Sequence, residues 1–358
     1  MSKWNGFNIG ELNIKTPIIQ GGMGVGISLA NLASAVANEG GVGVISAASI
    51  GMLSKDYLKD TRKANIDMLK DQIQKAKAKT NGVLGVNIMV ALTNFSDLVK
   101  ASIEEGIDII FAGAGLPLDL PSFLHKESKT KLVPIVSSGK AAKMISKWWK
   151  EKYDYTPDAF VVEGPLAGGH LGFKPSQIDD PAFRLENLIT EVLSEVRTIE
   201  QKENKSIPVI AAGGIFTGHD IKRFIDLGAS AVQMATRFVA TYECDADEEF
   251  KNAYVDCEKE DICIIESPVG MPGRVIRNKF VLDAKEGKKQ PKSCPYHCII
   301  TCKEKDSPYC ITHALISAYK GNLKNGFAFV GANGYRVDKI VSVHELISEL
   351  EKEYSESN

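Results

Sequence analysis

The chain has 358 residues, 44% of them hydrophobic and 25% charged, with a formal net charge of -2. That balance is ordinary for a globular enzyme and gives no electrostatic case for binding nucleic acid or an anionic membrane. No apolar run approaches the ~18 residues of a membrane span, and residues 1–13 have neither an apolar core nor a cleavage-like site, so a soluble cytoplasmic protein is expected.

Short apolar runs alternate along the chain with longer stretches of helical period, the sign of repeated βα units. Residues 17–20 form the first run, a helix over 29–38 follows, and 43–46 is the second run. A helical stretch over 55–79 leads to the third run, 83–88, and one over 95–105 follows it. The fourth and fifth runs are 107–111 and 132–136, with a helix over 141–150 before the sixth, 159–163. A helix over 183–201 precedes 208–212, and one over 220–227 precedes 231–234, which completes eight. Asp97 before Lys100 and Asp220 before Arg223 put acids early and bases late, as a helix dipole prefers. The runs are continuously apolar, which suits parallel strands buried on both faces. Eight such units with right-handed crossovers close into a barrel.

The expected fold class is therefore α/β: a (β/α)8 TIM barrel with a small C-terminal covering segment. Residues 1–240 are read as the barrel, 241–325 as a cysteine-containing lid, and 326–358 as a return strand over 327–331 and a helix over 343–353 packing back on the barrel. The lid is charge-rich and holds no convincing βα unit. Seven cysteines is an odd number, and in a chain without an export signal they point to metal or redox chemistry before disulfides. Cys294, Cys298 and Cys302 recur every four residues, so a helix would put them on roughly one face. With Cys310 they could hold zinc or an iron–sulfur cluster, and His297 adds a further ligand. Against that, the spacing matches no C-x-x-C pair, and buried cysteines are common core residues. Whether a metal binds stays open at this point.

Glycines cluster just after the apolar runs: Gly21, Gly22 and Gly24 after the first, Gly164 to Gly172 after the sixth, Gly213 and Gly214 after the seventh. Barrel active sites are built at this end, and glycine lets the backbone approach a ligand closely. Loops after the seventh and eighth strands commonly hold a phosphate through backbone N–H groups. Gly213-Gly214 and Gln233-Met234-Ala235-Thr236 are placed for that, though a tight turn would also use the glycines. The spacing of a dinucleotide G-x-G-x-x-G is absent after Gly22. His170, flanked by Gly169 and Leu171-Gly172, is the histidine best placed to face a substrate, and imidazole exchanges protons near neutrality. His219 reads as a helix cap, and His125, His297, His313 and His344 lie away from strand ends.

At these residues the chain resembles the nitronate monooxygenase family, whose superfamily includes the flavin-dependent enoyl-acyl-carrier-protein reductase II. The resemblance runs through Ile18-Ile19-Gln20-Gly21-Gly22-Met23-Gly24, Gly85-Val86-Asn87, Ala167-Gly168-Gly169-His170, Ala211-Ala212-Gly213-Gly214-Ile215 and Val232-Gln233-Met234-Ala235-Thr236-Arg237-Phe238. It implies FMN with its phosphate on Gly213, Gly214, Ala235 and Thr236. Gly22, Met23, Asn87, Glu163, Gly168, Gln233 and Met234 would surround the rest of the cofactor, and His170 would stand beside the substrate as the catalytic group. Glu163 departs from the glutamine of many monooxygenases, and Ala235 from the usual glycine. The activity implied is oxidation of alkyl nitronates to carbonyl compounds and nitrite with O2. The alternatives are NAD(P)H-dependent reduction of an enoyl thioester, and a non-catalytic flavin sensor or electron relay. A small-molecule substrate and a homodimer are expected, with no nucleic acid or membrane partner.

Overall fold

In the computed structural model, which describes residues 4–357, each of the eight apolar runs becomes a strand. The chain opens with an antiparallel hairpin, β1 (Phe7–Ile9) and β2 (Leu12–Ile14). Then come β3 (Ile18–Gln20), α1 (Ala30–Asn38), β4 (Val42–Ser46), α2 (Thr61–Lys77) and β5 (Val83–Met89). α3 (Phe95–Glu104), β6 (Ile109–Gly113), β7 (Lys131–Val136), α4 (Gly139–Tyr153) and β8 (Phe160–Glu163) follow. After the two-residue β9 (Gly169–His170) come α5 (Leu185–Glu203), β10 (Val209–Ala212), α6 (Gly218–Asp226) and β11 (Ala231–Met234). A short 3-10 turn, Leu120–Phe123, stands where a helix would join β6 to β7.

The eight long-range strands are parallel and closed in the order β3-β4-β5-β6-β7-β8-β10-β11, with β11 returning to β3 through Val232 beside Ile18. β4 and β6 are buried at every position, as strands between an inner core and an outer helix layer must be. Ile19, Val44, Phe111, Val133, Val161 and Ile210 fill the inside. Their neighbours Ile18, Ile45, Val86 and Ile110 turn out to the helices. Each such side chain contributes roughly 1.5–3 kcal/mol relative to exposure. Ile9 and Ile14 join the inner cluster, so the β1–β2 hairpin closes it off. The sequence reading missed this hairpin because three-residue strands carry no usable period.

Helix starts follow their caps. Asp60 accepts a bond from Lys63 N, so α2 begins at Thr61, later than the helical stretch from residue 55 predicts. The N-cap of α6 is Thr217, in a reciprocal box with Asp220; His219, expected to cap it, instead bonds Ser357.

Beyond β11 lie α7 (Thr236–Val239), α8 (Glu248–Val255), β12 (Ile262–Glu266), β13 (Pro272–Ile276), α9 (Lys279–Lys285), α10 (Ile311–Tyr319) and α11 (Val343–Glu356). The sequence offered no regular strands between 241 and 325, yet β12 and β13 form a hairpin there, and β13 also pairs with β9. Two expectations are corrected. Residues 327–331 make only one isolated bridge, Phe329 to Val275, and no full strand. Residues 294–302 are irregular, with one isolated bridge at Ile299 and a turn at 300–301, so no helix aligns the cysteines. Glu353 of α11 accepts from Gly218 N of α6 at 2.6 Å. Among the described residues no helix is long and apolar enough to cross a membrane.

Candidate active site

The cleft opens where the barrel strands end. Gln20, fully buried at the end of β3, donates to Gly21 O and accepts from Val44 N, which sets the course of the glycine loop behind it. That loop brings Gly22 so near β5 that a Cβ on it would lie 2.3 Å from Asn87 Cβ. Glycine is therefore required there if Asn87 is to stand at the cleft wall. Gly22, Met23, Asn87, Glu163, Gly168, His170, Gln233, Ala235 and Thr236 all line this one space, together with Met89, Ile135 and Phe329. Few polar groups on a mostly apolar wall is the usual make-up of a small-molecule site.

Gly213, Gly214 and Met234 do not line it. Met234 is turned into the core, and only its carbonyl reaches the cleft loop, accepting Gly21 N at 2.8 Å. Gly213 and Gly214 adopt φ of +99 and +79, a conformation that favours glycine. Among the described residues, the N–H groups of Gly213, Gly214, Ala235 and Thr236 donate to no protein acceptor. Backbone donors are ordinarily paired, so four free donors on two adjacent barrel loops form a ready anion cradle. The segment after residue 330 fastens to the same loops. Gly331 N donates to Thr236 Oγ1 at 3.0 Å, and Asn333 Nδ2 donates to Gly214 O at 2.6 Å.

The loop carrying His170 is pinned from above. Arg274, buried on β13, donates from one guanidinium nitrogen to Pro165 O and Ala167 O, each at 2.6 Å. Pairing of His170 with Gly273 extends β9 into the hairpin sheet. The imidazole Nε2 meets Ser267 Oγ at 2.7 Å, and the ring lies edge-on to Phe329 with centroids 5.0 Å apart. Burial pushes the imidazole down to about 4, so it is neutral at neutral pH. The side chain of Glu163, at the end of β8, has no hydrogen-bond partner among the described residues. Burial pushes its carboxyl up to about 8, so it too carries no charge at neutral pH.

Sequence reasoning missed Ser267, Arg274, Phe329 and Asn333. All four belong to the segment after the barrel, whose short elements gave no pattern to place them. The Ser267-to-Arg274 turn, with Gly270 and Gly273, was the one signal of a hairpin.

A family model described as nitronate monooxygenase matches residues 6–353. A (3aS,4S,5R,7aS)-5-hydroxy-7a-methyl-1-oxo-octahydro-1H-indene-4-carboxyl-CoA dehydrogenase of Mycobacterium tuberculosis is 29% identical over 276 residues, covering 77% of this chain and 67% of that one. A probable nitronate monooxygenase of Staphylococcus aureus is 27% identical over 310 residues, 78% of this chain and 80% of the other. Among solved structures, FabK from Thermotoga maritima superposes with a TM-score of 0.73 at 30% identity, covering 96% of this chain and 94% of that one. A nitroalkane oxidase from Streptomyces ansochromogenes gives 0.72 at 22% identity, covering 95% and 96%, a likeness of fold.

Proposed function

The chain belongs to the nitronate monooxygenase family, and on that footing we propose that it is an FMN-dependent oxidoreductase converting alkyl nitronates to carbonyl compounds and nitrite with O2. The fit to FMN rests on the four free N–H groups of Gly213, Gly214, Ala235 and Thr236, which suit a terminal phosphate. It rests also on the side-chain-free floor at Gly22 and Gly168, with Asn87 and Gln233 as polar partners of the ring and ribityl chain. Met234 contributes through its backbone. When bound, the flavin supplies electron transfer to and from the substrate and oxygen.

The observation that carries the nitronate reading is the charge state of the cleft. Its carboxyl and its imidazole, Glu163 and His170, are both held neutral at neutral pH by burial. A nitronate is already an anion, so it needs no base; it needs donors and no opposing carboxylate. Neutral imidazole and a protonated carboxyl each offer one donor. His170 would hold the nitro oxygens, with Ser267 fixing its ring. Arg274 holds the Pro165 and Ala167 carbonyls of the loop, and Phe329 gives the cleft an apolar wall beside His170.

A second reading, reduction of an enoyl thioester by NAD(P)H, draws on Glu163 itself. A carboxyl titrating near 8 is an acid able to deliver a proton to a reduced carbon. The relative named as a carboxyl-CoA dehydrogenase also favours a thioester. The readings part on product. Nitrite released from a primary alkyl nitronate in air, together with FMN identified in the heat-released cofactor, supports the first. Consumption of NADPH with saturation of crotonyl thioester, and no nitrite, supports the second.

A further inference from the structure

A second cavity, separate from the cleft, lies mostly in the lid. It encloses about 350 Å³, and Cys294, Cys298, Cys302 and Cys310 all line it, with His297 at one edge. All seven cysteines of the chain are free thiols, so these four are not tied up in disulfides. We propose that this cavity is the binding site of a [4Fe–4S] cluster, ligated by Cys294, Cys298, Cys302 and Cys310.

Three observations converge on a cluster in place of a lone ion. The space is many times the ~30 Å³ share of one water, so a single cation would leave most of it unfilled. Among the described residues no three His, Cys, Asp or Glu side chains are grouped closely enough to hold a metal ion. Finally, the sulfurs have donors beside them, as cluster sulfurs commonly do. His297 N donates to Cys294 Sγ at 3.4 Å, Thr312 Oγ1 lies 2.9 Å from Cys298 Sγ, and Ser307 Oγ lies 3.3 Å from Cys302 Sγ.

The fold also anchors the site to the barrel. Thr93 N donates to Cys298 O at 3.1 Å and Ile300 N to Ala91 O at 2.9 Å, fixing the thiol loop on the loop after β5. Tyr309 donates to Glu266 O, next to the Ser267 that bonds His170. Cys310 caps α10, and Leu315 on the same helix lines the cleft. Five residues of helix rise ~7.5 Å, so the proposed cluster would sit close to the first site. The proposal stands independently of which substrate that site takes.

The test uses the full chain, produced with iron and cysteine in excess and purified without oxygen. Iron and acid-labile sulfide are measured per chain, and zinc alongside. The expected result is about four of each per chain, with loss of both in Cys298→Ser and Cys302→Ser and retention in Cys263→Ser. Thiol alkylation mapped by mass spectrometry gives a readout on the unmutated protein. Cys294, Cys298, Cys302 and Cys310 should be protected until the cluster is stripped with acid and chelator, while Cys263 labels throughout. Iron at roughly half an equivalent or less, stoichiometric zinc, iron that survives both serine substitutions, or four thiols that alkylate freely would each overturn the assignment.

Discussion

His170 and Glu163 face the same problem from opposite directions: each is ionisable, each lines the cleft, and burial holds each in its neutral form. For Glu163 the sign is definite. An unfolded carboxyl titrates near 4.5 and the folded one near 8, so between those values the folded protein holds the extra proton and stability falls as pH rises. Glu163→Gln removes that dependence, and its melting temperature should gain on the wild type steadily from pH 5 to pH 8 in cofactor-free protein. Parallel melting curves would count against a buried carboxyl. His170 works the other way: its contribution is regained as pH rises from about 4 to 6.5. For His170→Asn, FMN should stay bound and turnover of a neutral nitroalkane should drop ~10²–10⁴-fold, the usual loss for a general acid–base. With the preformed nitronate the loss should be far smaller, and equal losses with the two forms would remove the proton-transfer role. Ser267→Ala deletes one hydrogen bond to the ring, worth ~1 kcal/mol or a few-fold in rate. His170 was legible in the sequence because glycines and a strand end frame it. Ser267, 97 residues away, was not, since nothing local links them.

The elements that matter most to the site are the loop after β8 and the β12–β13 hairpin that clamps it. Arg274 is the pin: two carbonyls depend on one buried guanidinium. Arg274→Ala should destabilise the fold by ~2 kcal/mol or more, because it strands two buried acceptors. Limited proteolysis should then cut between residues 164 and 172, where the wild type resists; resistance equal to wild type would show the clamp is dispensable. Gly168 is the counterpart on the loop, where a Cβ would lie 2.6 Å from the Val330 carbonyl carbon. Gly168→Ala should therefore weaken flavin retention and cost ~1–3 kcal/mol of stability. The barrel strands were readable because they are mostly apolar without a polar–apolar alternation, and β4 and β6 are buried throughout. The hairpin was not, because Cys263 and Ile265 alternate with no polar partner that would mark a face.

At the scale of the whole molecule, the lid and barrel share a core. Ile27, Phe216 and Val239 of the barrel pack in one cluster with Phe250, Tyr254, Ala328 and Val330. The division at residue 240 read from composition is thus proposed as a boundary in chain order and not as a line of independent folding. A chain ended at 240 would bare that apolar surface and should aggregate; a soluble, cooperatively melting fragment would show the lid to be an appendage. Glycine placement marks as a pair the two loops proposed to hold the phosphate. The free N–H groups on them, the thiol-lined cavity and the clamp are long-range products of closure, which no local pattern encodes. The central claim, a flavin cleft that takes electrons from an anionic nitronate, is tested most directly without oxygen. The purified yellow protein is mixed separately with a primary alkyl nitronate, NADH and NADPH, and the flavin absorbance is followed. The account predicts bleaching by the nitronate and little change with either nicotinamide. Rapid bleaching by NADPH while the nitronate leaves the flavin oxidised would contradict it.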